Sequence, residues 1–255
     1  MNNINYFGMR TIVFMKLKIF LKEYHYSIIS PIISSLIFII ILGTINEFYN
    51  LNFAKSNYMH FLIPGIIIMI VIQEAYSNIS ETLIHMKQMG SFNDILMSPI
   101  SRTEIAISFI IGSLFISIIV CMINIIVINI FFEIHFYNFW RFLFYISITS
   151  IIMACFGSII GFISYTWDVQ QSFFNFCITP ISLLSGSFFS INLFDNEWKF
   201  LFLYNPFFYL VSNFRKSFNI EQYYNFNIDF FLLIFCFLSI YLALFIFKKG
   251  YKVIN

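Results

Sequence analysis

Few residues of this chain have the type and setting to do chemistry. The first is Glu74, which follows Gln73 inside the apolar run FLIPGIIIMIVIQEAYSNIS at 61–80. A carboxyl group at membrane depth costs about 2.5–3.5 kcal/mol on insertion scales, so it must face protein or a wet cavity, or lie near enough to the headgroups to reach water. In the first case Gln73 and Glu74 line a path for a solute; in the second they do nothing special. A second candidate is the polar stretch GSFNDILMSPISRTEI at 90–105, set between two long apolar segments. The third is Arg215-Lys216, within LYNPFFYLVSNFRKSF at 203–218. These two cations suit a lipid phosphate or an anionic headgroup, or plain anchoring at the membrane interface.

The remaining reactive types are dispersed. Cys121, Cys155, Cys177 and Cys236 sit in apolar runs with no CxxC, which fits packing better than metal or disulfide chemistry. His25, His60, His85 and His135 have no partner at ligand spacing, so neither a metal nor a cofactor is expected. There is no GxxxxGK[ST], hence no P-loop nucleotide site. Nor is there a Ser-His-Asp, Cys-His or two-carboxylate grouping at catalytic spacing, so the chain does not read as an enzyme.

The elements that must position these residues are set by the solvent the chain requires. Its 255 residues are 60% hydrophobic and 10% charged, with mean hydropathy +0.86. A soluble domain carries about a quarter charged residues, so the missing polar surface points to lipid. A formal net charge of +2 gives no case for nucleic acid. A hydrocarbon core about 30 Å thick needs roughly 20 apolar helical residues. Six segments qualify, at about 28–45, 58–80, 105–132, 142–163, 172–193 and 230–247. They are unbroken rather than alternating, and lipid demands that backbone groups be satisfied within the segment, so the fold class expected is all-α with six transmembrane helices. The first run starts near Ile28 without a small-x-small exit and reads as a retained helix, not a cleaved signal. With both termini inside, nine Lys and Arg fall on the inner side and five on the outer, which favours cytoplasmic termini. Asn124 and Asn129 fall in the third span, where Asn can hydrogen-bond between helices. The sequon Asn78-Ile79-Ser80 lies at the inner end of a span and is discounted.

In that orientation residues 81–104 are cytoplasmic. The second span runs on as helix through LIHMKQM to Gly90, whose left-handed conformation can end it. Ser91 then caps a short helix, with Asp94 three residues on completing a capping box. Phe92, Ile95, Leu96 and Met97 form its apolar edge, and Pro99 stops it, since the residue before proline disfavours helix. Ser101 and Glu104 make a second box that opens the third span. Such a segment spans about 10 Å, too short to fold alone and shaped to sit in a groove on another protein. The other reading is an interfacial turn whose apolar edge dips into headgroups.

Four stretches carry a family resemblance: FLIPGIIIMIVIQEAYSNIS at 61–80, GSFNDILMSP at 90–99, SLLSGSFFSINLF at 182–194 and LYNPFFYLVSNFRKSF at 203–218. In order and spacing the chain resembles the ABC-2 type integral-membrane permeases, six-span subunits of ATP-binding-cassette exporters for drugs, polysaccharides and lipid-linked glycans. Within that family it is similar to bacterial inner-membrane transport permeases. The resemblance implies that the loop between spans two and three holds a coupling helix that touches the ATPase. Gly90, Asp94, Leu96, Ser98 and Pro99 match that pattern, and Ser91, Phe92 and Ile95 belong to the same surface. It also implies a homodimer working with two copies of a separate ATPase subunit.

Two flanking features fit this frame. MRTIVFMKLKIFLKE at 9–23 reads as a basic amphipathic helix in the cytoplasmic interface, with Val13, Leu17, Phe20 and Leu21 on one side, Thr11, Lys18 and Lys22 on the other, and Lys16 off pattern. A basic flank that only sets topology is the alternative. The loop after span five, with Asn205 as a cap before Pro206, reads as two short re-entrant helices dipping back from the outer face. The organisation expected is an interfacial segment at 1–26, one six-helix domain at 27–248 and a cytoplasmic tail at 249–255. The function expected is the permease subunit of an exporter in the bacterial inner membrane. The rivals are a secondary transporter or channel acting alone, and a membrane scaffold that transports nothing.

Overall fold

The computed structural model describes residues 5–49, 55–132, 134, 136–188, 196–218 and 226–249, and among these the chain is helical, with no strand. Helix α1 runs Tyr6–Lys22, and a π-helical turn at His25–Ile29 leads into α2, Ser30–Tyr49. Helix α3 is the longest, Lys55–Gln88; α4 is the short Ser91–Met97; α5 spans Arg102–Phe131 and α6 Phe139–Ile163. Then come α7 at Trp167–Phe173, a π-helical turn at Phe174–Ile178 and α8 at Thr179–Leu183. Helices α9, Asn196–Leu203, and α10, Pro206–Arg215, precede α11, Phe226–Lys249.

Among the described residues five helices are long and apolar enough to cross a membrane: His25–Ile45, Tyr58–Gln88, Arg102–Phe131, Phe139–Ile163 and Asn227–Lys249. They correspond to the first four expected spans and the last. The fifth expected span, 172–193, takes a different form. Helical backbone begins earlier, at Trp167, is interrupted by the π-helical turn and ends at Leu183, while 189–195 lie outside the described residues. Seventeen residues at helical rise make only about 25 Å, short of the hydrocarbon core. The early start has a tertiary cause. Gln170 is buried and donates from Nε2 to Ser80 Oγ at 3.2 Å, so the polar turn that reads as loop is held on α3.

Packing centres on α3 and α6, which approach unusually closely. A Cβ added at Gly157 would lie 2.4 Å from the Tyr76 carbonyl oxygen, and one at Gly161 would lie 2.9 Å from Ser80 Cα. The two glycines are four apart in GSIIG, the small-xxx-small arrangement that lets membrane helices touch by their backbones. Gly157→Val should therefore destabilise the protein by about 1–3 kcal/mol, the usual range for overpacking. Thermal unfolding in detergent would show it, and a wild-type melting temperature would refute the close contact. Polar ties cross the same bundle: Ser113 Oγ donates to the Ala75 carbonyl at 2.9 Å, and Ser117 and Ser150 hydroxyls meet at 2.7 Å. Asn124 bridges helices as expected, its Oδ1 accepting from Ser35 Oγ at 2.9 Å. Asn129 instead caps locally, accepting the Ile134 N–H at 2.8 Å.

Two apolar clusters result. The main one joins α2, α3, α5, α6, α10 and α11. A second, at the α4 end, gathers Ile12, Leu83, Phe92, Phe109, Phe162 and Phe247. Helix α1 bridges them, but on a different face from the one its sequence suggests. Ile12, Lys16 and Phe20 are its buried residues, whereas Leu21 is 63% exposed. The off-pattern lysine lies in the packed face because Gly112 of α5 leaves room for its stem, with Lys16 Cδ 2.9 Å from where a Cβ would be.

Candidate functional site

The loop between α3 and α5 is built almost wholly by local rules. The α3 helix ends with Met89 and Gly90 N–H groups donating to His85 and Lys87 carbonyls at 3.0 and 3.2 Å. Gly90 has φ 75° and nothing within 4 Å of a virtual Cβ, so conformation rather than space favours glycine there. One expectation is corrected here: Ser91 and Asp94 form no capping box. Gly90 occupies the cap position, which makes Ser91 the first helical residue and turns its hydroxyl back onto the Met86 carbonyl at 3.4 Å. Asp94 still lies in the first turn, where the helix dipole favours an anion. At the other end Ser98 is extended, ψ 156°, as the following Pro99 requires. The second capping box is present: Ser101 Oγ accepts the Glu104 N–H at 3.3 Å, and Glu104 Oε2 accepts the Ser101 N–H at 2.7 Å.

The apolar edge of α4 divides. Phe92 is 3% exposed and meets Phe162 edge-on at 6.2 Å, and Ile95 and Leu96 pack beside it. Met97 is 86% exposed, and Asn93, Asp94 and Pro99 share its open side. The helix is thus pinned to the body by one side and presents the other. Just before it, Lys87 in the last turn of α3 ties that helix to the end of α6, a role the sequence does not advertise. Its ammonium donates to the carbonyls of Phe162 and Ser164, the latter at 3.1 Å, with the Phe162 and Tyr165 rings 5.2 and 5.1 Å away. A cation on the last carbonyls of α6 complements that helix's negative end.

Gln73 and Glu74 lie on a polar stripe of α3. Gln73, Glu74, Ser77, Asn78 and Thr82 are half-buried, while Glu81 and His85 are exposed. Among the described residues the Glu74 carboxyl has no hydrogen-bond partner, and Asn78 Oδ1 is a buried acceptor without a donor. The stripe is open on the single chain, and Glu74, Asn78 and Glu81 follow one another on it at helical spacing.

At the opposite end Arg215 turns inward. Its Nε donates to the Phe61 carbonyl at 3.0 Å, and Nη2 to the Gly186 and Ser187 carbonyls at 2.6 and 2.7 Å. The guanidinium carbon stands 3.6 Å from the Phe61 ring centroid. These contacts within the protein engage Arg215 through Nε and Nη2. Lys216 is half-buried at the end of α10, where desolvation lowers its pKa against the pull of Asp229. Asp229 accepts from Tyr145 Oη at 2.6 Å and from Asn213 Nδ2 at 3.2 Å, tying α11 to α6 and α10. Asn205 caps α10 as its position before Pro206 implies, accepting the Phe207 N–H at 3.0 Å. Among the described residues no three His, Cys, Asp or Glu converge on a metal-sized site.

Known proteins resemble this chain over most of its length. Residues 9–219 match the family model described as ABC-2 type transporter. Curated relatives include the inner membrane transport permease YadH of Escherichia coli K12 and that of Shigella flexneri. Each is 26% identical over 203 residues, covering 78% of this chain and 78% of the relative.

Proposed function

The chain belongs to the ABC-2 type transporter family, and from that premise we propose that it is the permease subunit of an exporter powered by a separate ABC ATPase. The observation that carries the reading is α4, pinned through Phe92 while Asn93, Asp94, Met97 and Pro99 stay open for a partner. The proposed assembly is a homodimer with two ATPase subunits in the bacterial inner membrane, with α4 and both termini cytoplasmic. The open α3 stripe supports a second copy, because ionisable groups at membrane depth face protein or a wet cavity rather than lipid. The segment at 172–193 is the remaining span of a set of six, with the composite helix 167–183 forming its start, and α9 and α10 dip back from the outer face.

In this mechanism ATP closes the ATPase pair, which presses on α4 from its open side. Phe92 and Lys87 pass the displacement to the ends of α3 and α6, and the spans rotate to open a path past Gln73 and Glu74. The shift derives its free energy from the different affinities of the two conformations for the ATP-bound partner. The cargo is of the drug, lipid or glycan class. Lys216 stands at the outer interface, where it anchors to lipid.

Co-expression with an ABC ATPase from the same genome tests the reading. Copurification and permease-stimulated ATP hydrolysis are expected, and flux without any ATPase would refute it. In that complex Glu74→Gln should cut export about tenfold, worth about 1.4 kcal/mol, while leaving assembly intact. Unchanged export would remove Glu74 from the path.

A further inference from the structure

Two helices at the α4 end begin on the same carboxylate. Glu104 Oε2 accepts the Ser101 N–H at 2.7 Å and so closes the start of α5. Its Oε1 accepts the N–H of Asn5 at 2.9 Å, and Asn5 is the residue that caps α1. The Asn5 side chain works in both directions. Its Oδ1 accepts the Gly8 N–H at 2.9 Å, and its Nδ2 donates to the Pro99 carbonyl at 3.2 Å, on the strap that joins α4 to α5. At Gly8 an added Cβ would lie 2.6 Å from the Ile100 side chain, so the first turn of α1 is pressed onto that strap. One turn on, Ile12 belongs to the cluster that holds Phe92, with Ile95, Leu96 and Ile100 packed against it.

The attachment then changes character. Lys16 is 1% exposed, and among the described residues its ammonium has a single hydrogen bond, 3.4 Å to the Phe109 carbonyl, with the Phe109 ring 5.9 Å away. Burial pushes its pKa well below the usual lysine value. An ammonium has three donors, so this one is poorly satisfied, although its stem packs well. Beyond it, at Leu17 and Phe20, α1 joins the main cluster. The buried face of α1 therefore passes from one apolar cluster to the other across Lys16, and its polar ties to the rest of the chain concentrate in the first turn.

We infer that Glu104 is a positioning residue that makes α1 and α4 travel as one lever, so that a push on α4 also reaches α1 and the span that follows it. What does the pushing rests on the proposed function; the joint itself is a property of this chain. A carboxylate is needed because it offers one oxygen to each N–H, whereas glutamine would set an amide N–H against one of them.

The test uses the full chain in lipid nanodiscs, spin-labelled at Arg10 on α1 and Asn93 on α4, both exposed. The native protein should give one narrow distance distribution. Glu104→Ala and Asn5→Ala should each broaden it, with Glu104→Gln between. A control pair at Asn93 and Phe115 on α5 should stay narrow in Asn5→Ala, which rules out general unfolding. An unchanged Arg10–Asn93 distribution in both alanine variants overturns the joint. In the ATPase complex, Glu104→Ala should assemble as wild type yet lose most stimulated hydrolysis; full stimulation overturns the lever and leaves only a cap. Failure of the native permease to bind any ATPase defeats the proposed function alone, since the distance measurement stands apart from it.

Discussion

Arg215→Ala should lower the stability of the solubilised protein more than any other single surface-to-small change at the end remote from α4. The guanidinium joins three segments: α3 at Phe61, the turn at Gly186 and Ser187, and the last turn of α10. A carbonyl left without its donor in apolar surroundings costs about 1–3 kcal/mol, and three are released together. The lost contact with the Phe61 ring adds about 0.5–2 kcal/mol. The contacts share one side chain and so do not add fully, but about 3 kcal/mol or more is the expected scale. Lysine is the informative comparison. It keeps the charge but lacks the planar fork, so it can serve one carbonyl well and not three. Thermal unfolding followed by size-exclusion should rank wild type above Arg215→Lys, and Arg215→Lys above Arg215→Ala. If all three melt together, the hydrogen bonds drawn at Arg215 are not holding anything.

The same residue shows where sequence reading stops. Arg215 and Phe61 are 154 positions apart, and nothing local marks the arginine as a binder of carbonyls rather than of headgroups. Gln170 and Ser80 are separated by 90 positions, and their hydrogen bond turns a polar loop into the first turn of a helix. Lys16 is buried because a glycine faces it on α5, which no periodicity within α1 could show. By contrast, Pro99, the Ser101–Glu104 box and the Asn205 cap were legible because their partners lie within three residues. Ser91 departs from its expected capping role for a local reason of its own. Gly90 in the left-handed region takes the cap, so the serine one step on is already inside the helix. The GSIIG motif was in plain view, but its meaning depends on which face of α6 meets α3. The long spans were legible throughout, because composition over twenty residues outweighs any single contact.

Phe92→Ala should separate binding of the partner from response to it. The ring is 3% exposed and contributes nothing to the open side of α4, where Asn93, Asp94 and Met97 lie. Removing a buried phenylalanine costs about 3–5 kcal/mol in a well-packed core. Here the loss falls on a seven-residue helix that cannot persist unless packed. The expected product is a permease whose spans remain folded, since the main cluster does not include Phe92. Its α4 has a docking side but no firm seat on Phe162. On the proposed mechanism, such a protein still copurifies with the ATPase, while stimulated hydrolysis falls by about tenfold or more, equivalent to about 1.4 kcal/mol of lost coupling. Met97→Glu should do the reverse, weakening copurification while leaving thermal stability near wild type, because that side chain is 86% exposed. Equal loss of binding from both substitutions would mean that α4 has no inner and outer side in the working complex. The division of labour between Phe92 and Met97 would then fail, and with it the transmission of force through α4 into α6.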